Sequence, residues 1–149
     1  MFRLSKAADY AIRGLVYLSM KPDDGMSGIE EISKARDIPA SYLAKLFQTL
    51  AKKGFVRSFR GPEGGFALTC SPRDINLLEV IEAVEGPIFL NECLIQRGYC
   101  PQDNVCAVHH VWREAQSRFL DCLRSCNFEQ LAEEEIAKSK VKQSCTSVQ

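Results

Sequence analysis

Three of the seven cysteines of this 149-residue chain fall in one short stretch, C-L-I-Q-R-G-Y-C-P-Q-D-N-V-C-A-V-H, from Cys93 to His109. Six residues separate Cys93 from Cys100, five separate Cys100 from Cys106, and two separate Cys106 from His109. Thiolates are soft donors that select zinc, copper(I) or iron-sulfur clusters. Three Cys and one His make a common structural zinc set, but zinc ligands usually pair about two to four residues apart, and only Cys106 and His109 do so here. The wider spacings suit a larger body, an iron-sulfur cluster, whose irons lie apart from one another. Plain loop cysteines are the third reading. Gly98 and Pro101 interrupt any helix or strand, so the sulfurs hang on a loop poor in large apolar groups. A bound group would supply the order that burial cannot.

The elements on either side must position that loop. After it, residues 107–126 read as a long helix on which Val108, Val111, Trp112, Ala115, Phe119, Cys122, Leu123 and Cys126 form a stripe longer than a monomer of this size covers, which implies a partner helix. On that stripe Cys122 and Cys126 read as small buried hydrophobes, as does Cys70 at a strand end. Before the loop, Asn76 and Glu79 make a capping box for a helix over 77–85, closed by Gly86 and Pro87. A last short helix is expected over 129–136, with disorder from Lys138 to Gln149, which takes in Cys145. His110 reads as a surface or packing histidine, and Tyr99 and Trp112 as loop and interface packing.

The first half has a different character. Residues 5–20 form an amphipathic helix with Leu4, Ala8, Ala11, Ile12, Leu15 and Leu18 on one face and Lys6, Asp9 and Arg13 on the other; Asp9 and Arg13 also make a surface pair four residues apart. After a loop over 21–25 come a short helix over 29–36, a tight turn at Asp37-Ile38-Pro39, and a second helix over 40–53. Leu43, Leu46, Phe47 and Leu50 line one face of that second helix, and Ser41, Ala44, Lys45, Gln48 and Lys52 the other. This is the plan of a helix-turn-helix whose second helix enters the DNA major groove, or else of a plain helical hairpin with a solvated face. The next segment favours DNA. Residues 55–59 and 66–69 read as two strands joined by Arg60-Gly61-Pro62-Glu63-Gly64-Gly65, a wing whose glycines permit close approach and whose Arg60 suits a narrow, electronegative minor groove.

Charge supports the division. The net charge is zero, yet residues 1–75 hold 12 basic against 8 acidic residues and residues 76–149 hold 7 against 11. Between Lys34 and Arg60 there are seven basic residues and one acid, Asp37. The first half suits a polyanion and the second repels one. No signal peptide or membrane-length apolar run is legible, so a cytoplasmic location is expected, where cysteines clustered in a loop point to metal or redox chemistry rather than to a disulfide framework.

A winged helix-turn-helix, then a three-cysteine loop, then a long apolar helix: over about residues 2–135 the chain resembles the IscR and NsrR group of iron-sulfur transcription regulators, the Rrf-two family. The resemblance is carried by R-L-S-K-A-A-D-Y-A, I-P-A-S-Y-L-A-K-L-F-Q-T-L, R-G-P-E-G-G-F, L-L-E-V-I-E-A-V-E-G-P and the cysteine loop. It implies a mainly α (α+β) fold with a two-stranded wing, divided as DNA-binding domain 1–87, cluster loop and dimerisation helices 88–137, and tail 138–149. It implies a cytoplasmic, homodimeric regulator rather than an enzyme, with an iron-sulfur cluster (2Fe-2S or 4Fe-4S) that sets affinity for double-stranded operator DNA in response to iron-sulfur status, redox state or nitric oxide. Cys93, Cys100 and Cys106 match the cluster cysteines. The fourth ligand matches His109 in the IscR-like pattern, or Asp9 of the partner subunit in the NsrR-like one. The short spacing from Cys106 favours His109. The DNA contacts expected are Ser41, Tyr42, Lys45 and Gln48 in the major groove, with Arg60, Gly61, Pro62 and Gly64 at the wing. Ala44 departs from IscR, which carries an acid there that restricts the sites its cluster-free form accepts. A cluster-free thiol switch, a zinc-stabilised regulator and an iron-sulfur electron carrier are the rival readings; the carrier has no use for a basic hairpin and wing.

Overall fold

The computed structural model describes residues 3–22 and 25–146, with side chains as far as Lys142. Six helices and a two-stranded antiparallel sheet follow one another as α1 (Lys6–Ser19), α2 (Ile29–Arg36), α3 (Ala40–Lys52), β1 (Val56–Phe59), β2 (Gly65–Leu68), α4 (Leu77–Glu85), α5 (His109–Ser125) and α6 (Phe128–Thr146). The expected mainly α winged helix-turn-helix, with the cysteine loop and a long helix after it, is the fold observed.

Local sequence explains where the elements begin and end. Ser5 caps α1 by accepting the Ala8 N–H (3.2 Å), and Asn76 caps α4 by accepting that of Glu79 (3.0 Å); both satisfy amides that a helix start leaves without partners. Asp37 turns α2 into α3 from the left-handed region (φ 52°), held by the Ser33 hydroxyl on the Ile38 carbonyl (2.6 Å). The core forms where the apolar faces of α1 and α3 meet: Leu15, Leu43, Phe47 and Leu50 are fully buried. A Cβ on Gly14 would lie 2.7 Å from the Phe47 ring, so only glycine lets the two helices approach this closely. Phe47 also meets Phe66 of β2 edge to face at 5.2 Å, which seats the sheet on α3.

The two strands pair from Val56 with Leu68 to Phe59 with Gly65. Ser27, before α2, bonds to Phe66 through both backbone groups (3.0 and 2.9 Å). The wing is thus tied back to the base of the helix-turn-helix.

The C-terminal end differs from the sequence expectation. α6 begins at Phe128 and continues to Thr146, past the expected end at Ile136 and through most of the segment expected to be disordered; residues 147–149, and Asp23 and Asp24 of the first loop, lie outside the described residues. No glycine or proline interrupts 128–146, and pairs such as Lys138 with Glu134 (2.5 Å, four residues apart) support the exposed turns. The helix also returns to the first half. Phe128 is fully buried in the core of α1 and α3, its N–H bonds to the Ile75 carbonyl (3.0 Å) and the Leu77 N–H to that of Cys126 (2.9 Å), and Glu135 pairs with Arg36 at the end of α2. Phe128 thus joins α6 to the core built by α1 and α3.

Candidate functional site

The cysteine loop is held at both ends. Gln116 of α5 donates from Nε2 to the Ile88 carbonyl (2.6 Å) and accepts the Leu90 N–H on Oε1 (2.9 Å), which fastens the entry of the loop to the helix at its exit. Inside the loop, Asn91 caps a single 3-10 turn at Glu92–Leu94, and Gly98, at φ 83°, makes the reversal. Its N–H then donates to Oδ2 of Asp103 (2.8 Å).

These turns bring Cys93, Cys100, Cys106 and His109 onto one cavity of about 410 Å³, with Asp103 and Trp112 also on its wall. All three thiols are free and half-buried. Burial first, and then the neighbouring Cys100, Asp103 and Cys106, push the Cys93 thiol above its ordinary pKa. The loop thus gathers groups whose charged forms repel one another, and a cation among them would relieve that repulsion. Among the described residues no three His, Cys, Asp or Glu side chains converge as ligands of a single ion. Three soft donors and an imidazole facing one cavity, beside a buried carboxylate oxygen of Asp103 without a partner, are a donor set that fits an iron-sulfur cluster.

Asp9 lies elsewhere in the chain. It is on α1, with its side chain half exposed and 3.5 Å from Arg13, the surface pair the sequence predicts, and Arg13 donates onward to the Arg36 carbonyl at the end of α2. Sequence reasoning missed Asp103 and Gln116. A signal for Asp103 was present, an acid lying between two candidate ligands; none was present for Gln116, which reads as one more polar residue on a helix. The burial expected of three cysteines is corrected. Cys70, just past β2, is exposed; Cys122 is exposed and Cys126 only half-buried, because α5 turns much of its stripe away from this chain's own core.

On α3, Leu43, Leu46, Phe47 and Leu50 are buried, while Ser41, Tyr42, Lys45 and Gln48 are exposed on the opposite face. Tyr42 stands edge-on to Tyr10 of α1 (5.6 Å), which fixes its ring while leaving it 44% exposed. Arg60, Gly61 and Pro62 are exposed at the wing. Gly64 is folded inward, and a Cβ there would lie 2.4 Å from the Phe59 carbonyl, so the tight turn itself requires glycine. Lys45, Lys52, Lys53, Arg57 and Arg60 all reach solvent on this recognition helix and wing. Among the described residues no helix is long and apolar enough to cross a membrane.

Comparison with known proteins agrees with this geometry. The profile of the Rrf2 family, described as an iron-dependent transcriptional regulator, matches residues 4–134. The chain is 32% identical over 129 residues to the HTH-type transcriptional regulator IscR of Pectobacterium carotovorum, covering 87% of this chain and 78% of that protein. It is 33% identical over 122 residues to the HTH-type transcriptional regulator NsrR of Bacillus licheniformis, covering 81% and 85%. The solved structure of CymR, described as the global cysteine regulator of B. subtilis, superposes with a TM-score of 0.75 at 25% identity, over 90% of this chain and 98% of that one. The chain belongs to the Rrf2 family, and it is a DNA-binding transcription regulator, not an enzyme.

Proposed function

We propose that this regulator binds a double-stranded operator as a homodimer and carries an iron-sulfur cluster on Cys93, Cys100, Cys106 and His109, so that operator affinity follows iron-sulfur status, redox state or nitric oxide. The observation that carries the reading is the single cavity onto which all four side chains open. The family description, iron-dependent, agrees with the metal. When bound, the cluster supplies a centre that reacts with oxidants and nitric oxide. The chain's own residues supply three thiolates to hold it and one imidazole, a ligand that exchanges more readily than a thiolate.

Self-association is supported by α5, which contains no buried residue and exposes Val111 and Trp112, with Val108 at its N-cap, at helical spacing on one face. For DNA, Ser41, Tyr42, Lys45 and Gln48 of α3 face the major groove, and Arg60, Gly61, Pro62 and Gly64 form the wing at the minor groove. A dimer then contacts two half-sites about one helical turn apart. Affinity falls steeply with salt as phosphates are neutralised, and Arg60→Ala weakens binding at A·T-rich flanks.

Anaerobic purification tests the cofactor. A brown protein with stoichiometric sulfide is expected. A colourless one supports the second reading, a cluster-free thiol-switch or zinc-stabilised regulator. His109→Ala compared with Asp9→Ala under the same conditions tests the fourth ligand. His109→Ala is expected to alter the visible spectrum and operator affinity. Retention of both in that variant, with their loss in Asp9→Ala, assigns the ligand to Asp9 of the partner subunit.

A further inference from the structure

Asp103 is an acid to which cluster binding by three thiolates and an imidazole gives no role. Its side chain is only 9% exposed. Oδ2 is occupied by the Gly98 N–H at 2.8 Å. Oδ1 is buried with no hydrogen-bond partner and faces Nδ1 of His109 at 3.4 Å, and the histidine side chain is itself only 16% exposed. A buried carboxylate oxygen left bare is among the costlier defects a fold can carry, and a small rotation of the neighbouring ring removes it. The electrostatics admit one arrangement of that ring. If Nδ1 were the unprotonated nitrogen, its lone pair would face a carboxylate lone pair; if Nδ1 carries the proton, the two groups attract.

We propose that Asp103 is the positioning residue for His109, its Oδ1 accepting the Nδ1–H of the imidazole and so leaving Nε2 with a free lone pair to bind iron at the thiol cavity. The inference rests on the cluster reading for its second half only; the contact between carboxylate and ring stands on this chain's geometry. A metal-bound histidine whose other nitrogen donates to a carboxylate has its tautomer and its ring orientation fixed together. The loop supplies the carboxylate three residues before the last cysteine. One side chain therefore both closes the Gly98 turn and aims the ligand.

Asparagine is the informative substitution. It has one acceptor oxygen where aspartate has two. If that oxygen keeps the Gly98 N–H, an amide N–H faces Nδ1 and drives the proton to Nε2. Nitrogen-15 spectra of the imidazole in the metal-free full-length chain, at a pH where histidine is neutral, read the tautomer directly. The Nδ1–H form is expected in the wild type and the Nε2–H form in Asp103→Asn; an Nε2–H wild type overturns the proposal. In anaerobically loaded protein, Asp103→Asn should weaken retention of the chromophore against a chelator about 10- to 100-fold. The same change made in a His109→Ala background should add nothing, and a further loss there overturns the proposal, because Asp103 would then act on the cluster or the loop without the histidine. A wild-type protein that never acquires a chromophore overturns the cluster reading, while the tautomer measurement still decides whether Asp103 orients the ring.

Discussion

The core around α3 and the region running from the cysteine loop into α5 are built on opposite terms. Phe47, Leu43 and Leu15 are fully enclosed by their own chain, whereas α5 contributes no buried residue at all and Val105, in the loop before it, is 76% exposed. The first region is complete as it stands. The second packs only Phe119, Leu120 and Leu123 against a small cluster of Leu78, Ile81 and Ile88 and leaves Val108, Val111 and Trp112 in solvent, the faces that the proposed partner subunit and cluster would cover.

The strongest test of this contrast is a pair of aromatic truncations. Phe47→Ala removes a ring that contacts both Gly14 and Phe66, and should cost about 3–5 kcal/mol in urea unfolding. Trp112→Ala, on a residue 39% exposed, should leave the core's unfolding nearly unchanged but shift the protein toward monomer in analytical ultracentrifugation. A large stability loss at constant oligomeric state would erase the distinction. The next effect is regional. If the protein carries the proposed cluster, removing it with a chelator should speed amide exchange across residues 93–108 by orders of magnitude while α1 and α3 keep their protection. Equal loss of protection in both regions would show that the core depends on the bound group as well.

Two smaller effects sharpen the boundary. Glu135→Gln breaks the pair with Arg36, whose side chain is 13% exposed, and should lower stability by about 1 kcal/mol at unchanged m-value. Glu134→Gln, on the same helix but paired in solvent with Lys138, should change nothing measurable. The smallest concerns Cys93, whose thiol burial raises above its ordinary pKa. A raised pKa means less thiolate at neutral pH, so alkylation of the metal-free folded chain should be slower than in urea, and its rate should rise through a midpoint at higher pH than in the unfolded chain. Mass spectrometry of iodoacetamide labelling against pH measures both.

What was legible in the sequence was local. The limits of α2 and α4 are written in residues next to them, the Asp37 turn and the pairing of Asn76 with Glu79 before Gly86, because a helix end is decided by the few amides and carbonyls it leaves unpaired. The chemical type of the site was legible too, since thiols and an imidazole declare their donor character wherever the chain places them. The exposed face of α3 follows from its periodicity for the same reason.

Tertiary structure decided the rest. The burial of Phe128 could not be read from its neighbours, because that ring is enclosed by helices formed about a hundred residues earlier in the chain. Likewise, Asp103 is one loop acid among others in the sequence. Only the closing of the Gly98 turn against the start of α5 buries it beside His109 and leaves one oxygen without a partner. Residue types and short-range spacing fix which groups are available and which local elements form; which of those groups lose their water, and against what, depends on how turns and helices close on one another in three dimensions.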